Sequence, residues 1–260
     1  MSDYRNPLRR FLFRKDFFRR VKQRLQGYRR RLVKCEITDL ELLLKRENPK
    51  VVFDVGANVG FITSQLLRTF KTAEIYAFEP DPVPFATLRA VHGSDPRVHT
   101  FQMAASDKLG ELNFVQRPLS CNSSLCQVAN RPSNSSTTKT ENQITVSVNT
   151  LDSFCLEHGI RHIDLLKVDT EGADLLVLKG AQKLLHDRCI DAVMFEVFFI
   201  PTYEGQSGLD EFYAFLKSYD FRFFNIYHGR ETLRAQVCYA NVIFIGPRLQ
   251  QMLDAKAPRT

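Results

Sequence analysis

The 260-residue sequence predicts an α/β protein with a doubly wound, mainly parallel sheet and an antiparallel pair at one edge. Three observations predict it. Short apolar runs rich in Val, Ile and Phe alternate with stretches whose apolar residues recur every three or four positions. Several runs end in Gly, Asp or Glu, at the carboxyl ends of strands where an open α/β sheet places its ligand crevice. The last two runs follow one another with no helical stretch between them, so they pair antiparallel.

In chain order, residues 7–33 space their apolar side chains three or four apart among many Lys and Arg, which predicts a basic amphipathic helix. Residues 38–45 read as a second helix, with Thr38 as N-cap and Glu41 three residues on in a capping-box spacing. Asn48-Pro49 stops it and admits a strand over residues 51–55, then a helix over 61–70. A strand at 74–78 precedes a helix over 82–91 with proline in its first turn. A third strand spans 98–103. Residues 111–116 and 143–148 alternate apolar with polar, as half-exposed strands do. Between them, residues 120–140 are rich in Ser, Asn and Thr without apolar period, a long loop of the kind that serves as a lid or stays unstructured. Helices at 151–158, 173–186 and 209–219 then alternate with strands at 163–168, 190–197, 221–227 and 239–245.

Composition bounds the function. With 44% hydrophobic residues the chain can bury a full core. No apolar run approaches the roughly 18–20 residues of a membrane span, and the sequence shows no secretory h-region. Six scattered cysteines without a C-x-x-C pair suit free thiols in a reducing, cytoplasmic setting better than a disulfide framework or a zinc site. The triplets at Asn122 and Asn134 match a glycosylation pattern that has no meaning without a secretory signal. The net charge of +7 is unevenly spread: residues 1–34 hold 13 Lys/Arg against two Asp/Glu, so the rest of the chain is mildly acidic. This divides the chain into a basic helical arm, residues 1–48, and a domain over residues 49–260.

Four strand ends carry the chemistry. Asp54-Val55-Gly56-Ala57-Asn58-Val59-Gly60 closes the first strand and opens a helix. Its glycines allow a sharp turn and a close ligand approach, and the helix start offers free N–H groups; tight strand–helix packing would use the same glycines. The spacing is not the G-x-G-x-x-G of dinucleotide sites. Glu79, after the second strand, can accept hydrogen bonds from both ribose hydroxyls of an adenosine ligand, or act as a solvated strand-end charge. Ser106 and Asp107, after the third strand, can meet an adenine amino group, or form a hairpin turn with Gly110. Asp169 and Glu171, in Asp169-Thr170-Glu171-Gly172 after the fourth strand of the series, can both face the crevice; the alternative is that they cap the following helix.

In this order and spacing the motifs resemble the FkbM family of class I methyltransferases over residues 50–245. The strongest pieces are the segments FDVGANVG and LLKVDTEGADLLVLKGA, with Thr150-Leu151-Asp152 and Glu196 also matching. The resemblance implies a seven-stranded, Rossmann-like sheet binding S-adenosyl-L-methionine. Asp54, Gly56, Asn58 and Gly60 would surround its methionine end, Glu79 the ribose, and Ser106 with Asp107 the adenine. Asp169, Glu171 and Glu196 would line the transfer site, and the acceptor would be a hydroxyl of a sugar or glycan, a polyketide or a related small metabolite. A neutral hydroxyl needs a base to take its proton as the methyl arrives, which Asp169 would supply with Glu171 or Glu196 assisting. The same oxygen-only set could instead hold a divalent cation such as magnesium or calcium.

The remaining features leave alternatives. His228 could reach the crevice or sit in a solvated turn, and the other five histidines show no ligand or triad spacing. The aromatics of residues 198–203 suit an acceptor or the core, and Asn122-Ser123-Ser124 a closing loop or a linker. The arm over residues 1–34 could pack on the domain, lie peripherally on an anionic membrane face, or bind nucleic acid. Nucleic acid is the least supported, because the fourth strand end reads DTEG and lacks the N/D-P-P-Y/F that amino-methylating nucleic-acid enzymes show there. A non-catalytic binding or scaffold protein on the same fold is the rival from outside the enzymes.

Overall fold

The computed structural model describes residues 35–44, 48–116, 126, 142–231 and 236–255, with the backbone alone at 228–231. The basic stretch 1–34, the Asn122–Ser124 segment with most of the long loop, and the His228 side chain lie outside the described residues. The helices are α1 (Glu36–Leu44), α2 (Phe61–Thr69), α3 (Pro82–His92), α4 (Leu151–Glu157), α5 (Asp174–Lys179), α6 (Gln182–His186), α7 (Leu209–Lys217) and α8 (Pro247–Asp254). The strands are β1 (Val51–Val55), β2 (Glu74–Phe78), β3 (Val98–Phe101), β4 (Ala104–Ala105), β5 (Gly110–Gln116), β6 (Asn142–Asn149), β7 (Ile163–Val168), β8 (Ile190–Phe198), β9 (Arg222–Glu231) and β10 (Val237–Ile245).

Seven strands form one sheet in the order β3-β2-β1-β7-β8-β10-β9, and β4, β6 and β5 form a second. Every pair from β3 to β8 is parallel, while β10 runs antiparallel to both β8 and β9, as the missing helix between the last two runs requires. The chain winds outward from β1 through β2 to β3, then returns to the other side of β1 as β7. The crevice therefore opens at the carboxyl ends of β1 and β7, where the winding reverses. Strand alternation feeds two cores. Phe53, Val55, Leu166, Val168, Val193 and Phe195 pack on one face with α4 to α7, and Val52, Leu165, Ala192 and Met194 on the other with α1, α2 and α8.

Four boundaries depart from expectation, each for a local reason. Helix α1 begins at Glu36, so Thr38 lies inside its first turn and caps nothing; Ile37, Leu40, Leu43 and Leu44 pull the earlier start into the core. The helix expected over 173–186 is two helices, because a Cβ at Gly180 would fall on the carbonyl oxygen of Ser106 and the backbone bends there to pass. Strand β3 ends at Phe101, and Ala104–Ala105 leaves the main sheet to pair with β6. The unexpected α8 starts with Pro247 after Gly246, and its buried residues are Pro247 and Leu249. Among the described residues, no helix is long and apolar enough to cross a membrane.

Candidate active site

The glycine turn after β1 is stitched to β2 by its own backbone: the N–H groups of Gly56 and Ala57 both donate to the Phe78 carbonyl, at 3.0 and 2.9 Å. Gly56 (φ +77°) lies so close to the loop after β7 that a Cβ would fall on the Asp169 carbonyl oxygen. A Cβ at Gly60 (φ +87°) would come within 2.6 Å of the His92 ring. Both glycines are thus demanded by backbone shape and packing, whatever ligand the turn receives. Asn58, also left-handed at φ +50°, aims its N–H at Glu79 Oε2 at 2.8 Å. The second Glu79 oxygen accepts from the Asp81 N–H at 2.8 Å. Burial nonetheless pushes Glu79 up to about 7, against those two hydrogen bonds.

On the other side of β1, the loop after β7 gathers carboxylates. The Asp169 N–H continues the ladder to the Val55 carbonyl at 3.0 Å, and its side chain is about one-third exposed (35%). Glu171 is held in a left-handed conformation (φ +55°) and accepts a hydrogen bond from the Tyr203 hydroxyl. Burial, then the charge of Asp169, raises Glu171 to about 8. Glu196, at the end of β8, is pushed up by burial and by Asp169, Glu171 and Asp174 around it. One carboxylate oxygen from each of Asp169, Glu171 and Glu196 lies within 4.8 Å of the others. Asp174 holds this loop in shape: it accepts from the Thr170 N–H (3.1 Å) and hydroxyl (2.9 Å) and from the Glu196 N–H (3.3 Å). Burial and the charge of Asp169 raise Asp174 to about 6.

A cavity of about 330 Å³ joins the two sides. Of the sequence-predicted residues, it brings together Gly56, Asn58, Glu79, Asp169 and Glu171. Glu196 stands beside Asp169 and Glu171 without lining it. Asp54 lies fully buried behind the turn, bound by the Thr63 hydroxyl at 2.6 Å and the Lys167 ammonium at 2.9 Å. Gly60 faces α3 rather than the cavity, and neither Ser106 nor Asp107 is among the lining residues: Ser106 is fully buried and Asp107 points to solvent. Tyr203, from the aromatic stretch after β8, is buried against Phe198 and serves to hold Glu171.

Sequence reasoning missed Lys167 and Asp174, and singled out Tyr203 only as one of the aromatics suited to an acceptor or the core. Lys167 had a legible signal, since it interrupts the otherwise apolar run of a central strand. It also missed a second cluster, His162, Asp164 and Asp191, at the opposite, amino-terminal edge of the sheet. There Arg248 from α8 pairs with Asp191, and its Nη2 lies 3.1 Å from His162 Nε2, so a guanidinium already supplies the positive charge.

The model of the FkbM methyltransferase domain matches residues 54–223. The chain is 29% identical over 185 residues to the 2-O-methyltransferase NoeI of Sinorhizobium fredii, covering 68% of this chain and 75% of that protein. It is 31% identical over 195 residues to the 31-O-demethyl-FK506 methyltransferase FkbM of Streptomyces tacrolimicus, covering 66% and 72%. It is 28% identical over 145 residues to the hexuronic acid methyltransferase AglP of Haloferax volcanii, covering 55% of each. The sheet order, the crevice at the β1–β7 switch point and these matches define an S-adenosylmethionine-dependent methyltransferase of class I. The chain belongs to the FkbM family within that class.

Proposed function

We propose that this enzyme methylates a hydroxyl oxygen of a sugar, glycan, polyketide or similar small metabolite, with Asp169 as the group that takes the hydroxyl proton. The observation that carries the reading is the shared cavity, which is lined both by Gly56, Asn58 and Glu79 and by Asp169 and Glu171. Two of the relatives carry O-methylation in their names, and a third a hexuronic acid. Gly56 and Asn58 would receive the cofactor's methionine end, with Asp54 supporting the turn from behind, and Glu79 its ribose. For adenine the assignment of Ser106 and Asp107 has the weaker support, and Ala104, Ala105 and Phe114 offer an apolar wall instead.

When bound, S-adenosylmethionine supplies a methyl already activated on sulfonium; a C–O bond forms as the C–S bond breaks, and the hydroxyl proton must leave. The protein's part is to orient the acceptor oxygen and to hold that proton. Asp169, about one-third exposed and lining the cavity, is placed to accept it, while Glu171 and Glu196, whose pKa values burial raises, serve as hydrogen-bonding partners for the acceptor. Removing a general base typically costs about 10²–10⁴-fold. Asp169→Asn is accordingly expected to lower methyl transfer by at least ~100-fold while calorimetry still finds S-adenosylmethionine bound. Normal turnover in that variant would overturn the assignment, and wild-type protein that binds no S-adenosylmethionine would overturn the enzyme reading and favour a scaffold.

A second reading rests on the 4.8 Å grouping of oxygens: Asp169, Glu171 and Glu196 would hold a magnesium or calcium ion that lowers the acceptor hydroxyl's pKa. Activity that survives EDTA removes it. For residues 1–34, the charge of +11 supports peripheral contact with an anionic membrane face. Co-sedimentation with anionic liposomes, with and without those residues, tests this, and equal binding of both forms ends it.

A further inference from the structure

Lys167 is a buried lysine within β7, every residue of which is buried. Its ammonium makes three contacts. It pairs with Asp54 Oδ1 at 2.9 Å, donates to the Gly56 carbonyl at 3.1 Å, and stands 3.6 Å from Asp169 Oδ2. Burial alone would lower its pKa; Asp54 and Asp169 outweigh that and hold it above the ordinary lysine value, so it stays charged. Asp54 is in turn fixed by Thr63 of α2.

As a strut between β1 and β7, this pair is unnecessary. Two apolar residues of similar volume would join the strands at least as well, because burying opposite charges costs as much as their attraction returns. What an apolar pair could not do is reach Gly56 and Asp169 together. One contact lies on the glycine turn after β1, the other on the acid after β7, and Gly56 and Asp169 both line the cavity. We propose that Lys167 is a positioning residue for methyl transfer, whose buried ammonium ties the cofactor turn to Asp169 and holds one carboxylate oxygen so that the other is presented to the acceptor hydroxyl.

The inference rests on the O-methyltransferase reading for the task of Asp169, but its test separates the two. The variant is the neutral pair Asp54→Asn/Lys167→Met, which removes both charges of the buried pair at once, so that neither is left without the other. Wild type and variant are crystallised with and without S-adenosylhomocysteine, and its affinity is measured by calorimetry. Transfer of tritiated methyl is followed on a mixture of hexoses, deoxyhexoses and hexuronic acids. The expected result is a variant that binds S-adenosylhomocysteine within about tenfold of wild type, with the Asp169 carboxylate rotated away or split between rotamers, and turnover reduced at least ~100-fold. An Asp169 side chain unmoved in the variant overturns the proposal and leaves Lys167 as the counter-ion of Asp54 alone. Wild type that fails to bind S-adenosylhomocysteine defeats the methyltransferase reading instead, while Asp169 in the ligand-free crystals still decides what Lys167 holds. Should the neutral pair not fold, Lys167→Gln, which keeps a donor for Gly56 without the charge, enters the same comparison.

Discussion

Glu79 shows at the scale of one residue how a ligand site is built against stability. Its carboxylate is nearly buried, and two backbone N–H groups hold it in place without restoring its ordinary pKa. A carboxyl raised to about 7 in the folded protein, from 4.5, binds more protons folded than unfolded between those values. Its contribution is therefore fully present below about pH 4.5 and is lost as the pH rises through 7. Glutamine cannot ionise and escapes that loss. Relative to wild type, Glu79→Gln is expected to gain on the order of 3 kcal/mol of stability between pH 5 and pH 8.5, read from urea unfolding at the two values. The same variant should bind S-adenosylmethionine at least ~10-fold more weakly above pH 7, where the wild-type carboxylate is ionised and offers the ribose hydroxyls a charged acceptor that the amide lacks. Equal stability differences at both pH values would mean that Glu79 ionises normally. The sequence pointed to Glu79 because it ends a strand, but nothing in the string revealed that its neighbours would leave it so dry.

At the scale of elements, the turn between β1 and α2 is set by what it must pass. Gly56 combines a positive φ with the carbonyl of Asp169 where its side chain would be, and Gly159 has a similar φ (+67°) with nothing within 4 Å. The two separate conformation from crowding. Gly159→Ala is expected to cost about 1–2 kcal/mol, the left-handed penalty alone. Gly56→Ala should cost at least ~3 kcal/mol, because β7 must also move off β1. Thermal unfolding of the two variants makes the comparison, and equal losses would show that the seam yields freely. Elements of strong period were legible for this reason: runs such as 51–55 and 163–168 announce buried strands, and proline in the first turn announces α3. What stayed hidden depends on distant neighbours. Gly180 breaks a helix only because the Ser106 carbonyl lies against it, and Ala104–Ala105 leaves the main sheet only because β6 is there to pair with it.

Across the whole molecule, the two edges of the sheet carry buried charge to different ends. At the carboxyl edge, Asp169, Glu171, Asp174 and Glu196 gather near the ammonium of Lys167, an arrangement that raises the pKa values of Glu171, Asp174 and Glu196 and suits chemistry more than stability. At the amino edge, Asp164 accepts the N–H groups of Lys50 and Val51 at 2.8 and 2.9 Å, and Asp191 pairs with Arg248 and lies 3.1 Å from His162. Those contacts gather β1, β7, β8 and α8, and their acids are met by matching donors. Arg248→Met should therefore leave Asp191, which is fully buried, with only His162 as partner. The expected loss is about 1–3 kcal/mol, below the usual 3–5 for a broken buried pair because the Arg248 side chain is 42% exposed. S-adenosylmethionine affinity should stay within about twofold, since the cavity lies beyond the far ends of the same strands. A variant that keeps its stability but loses cofactor affinity would reverse this division and make the amino edge part of the site.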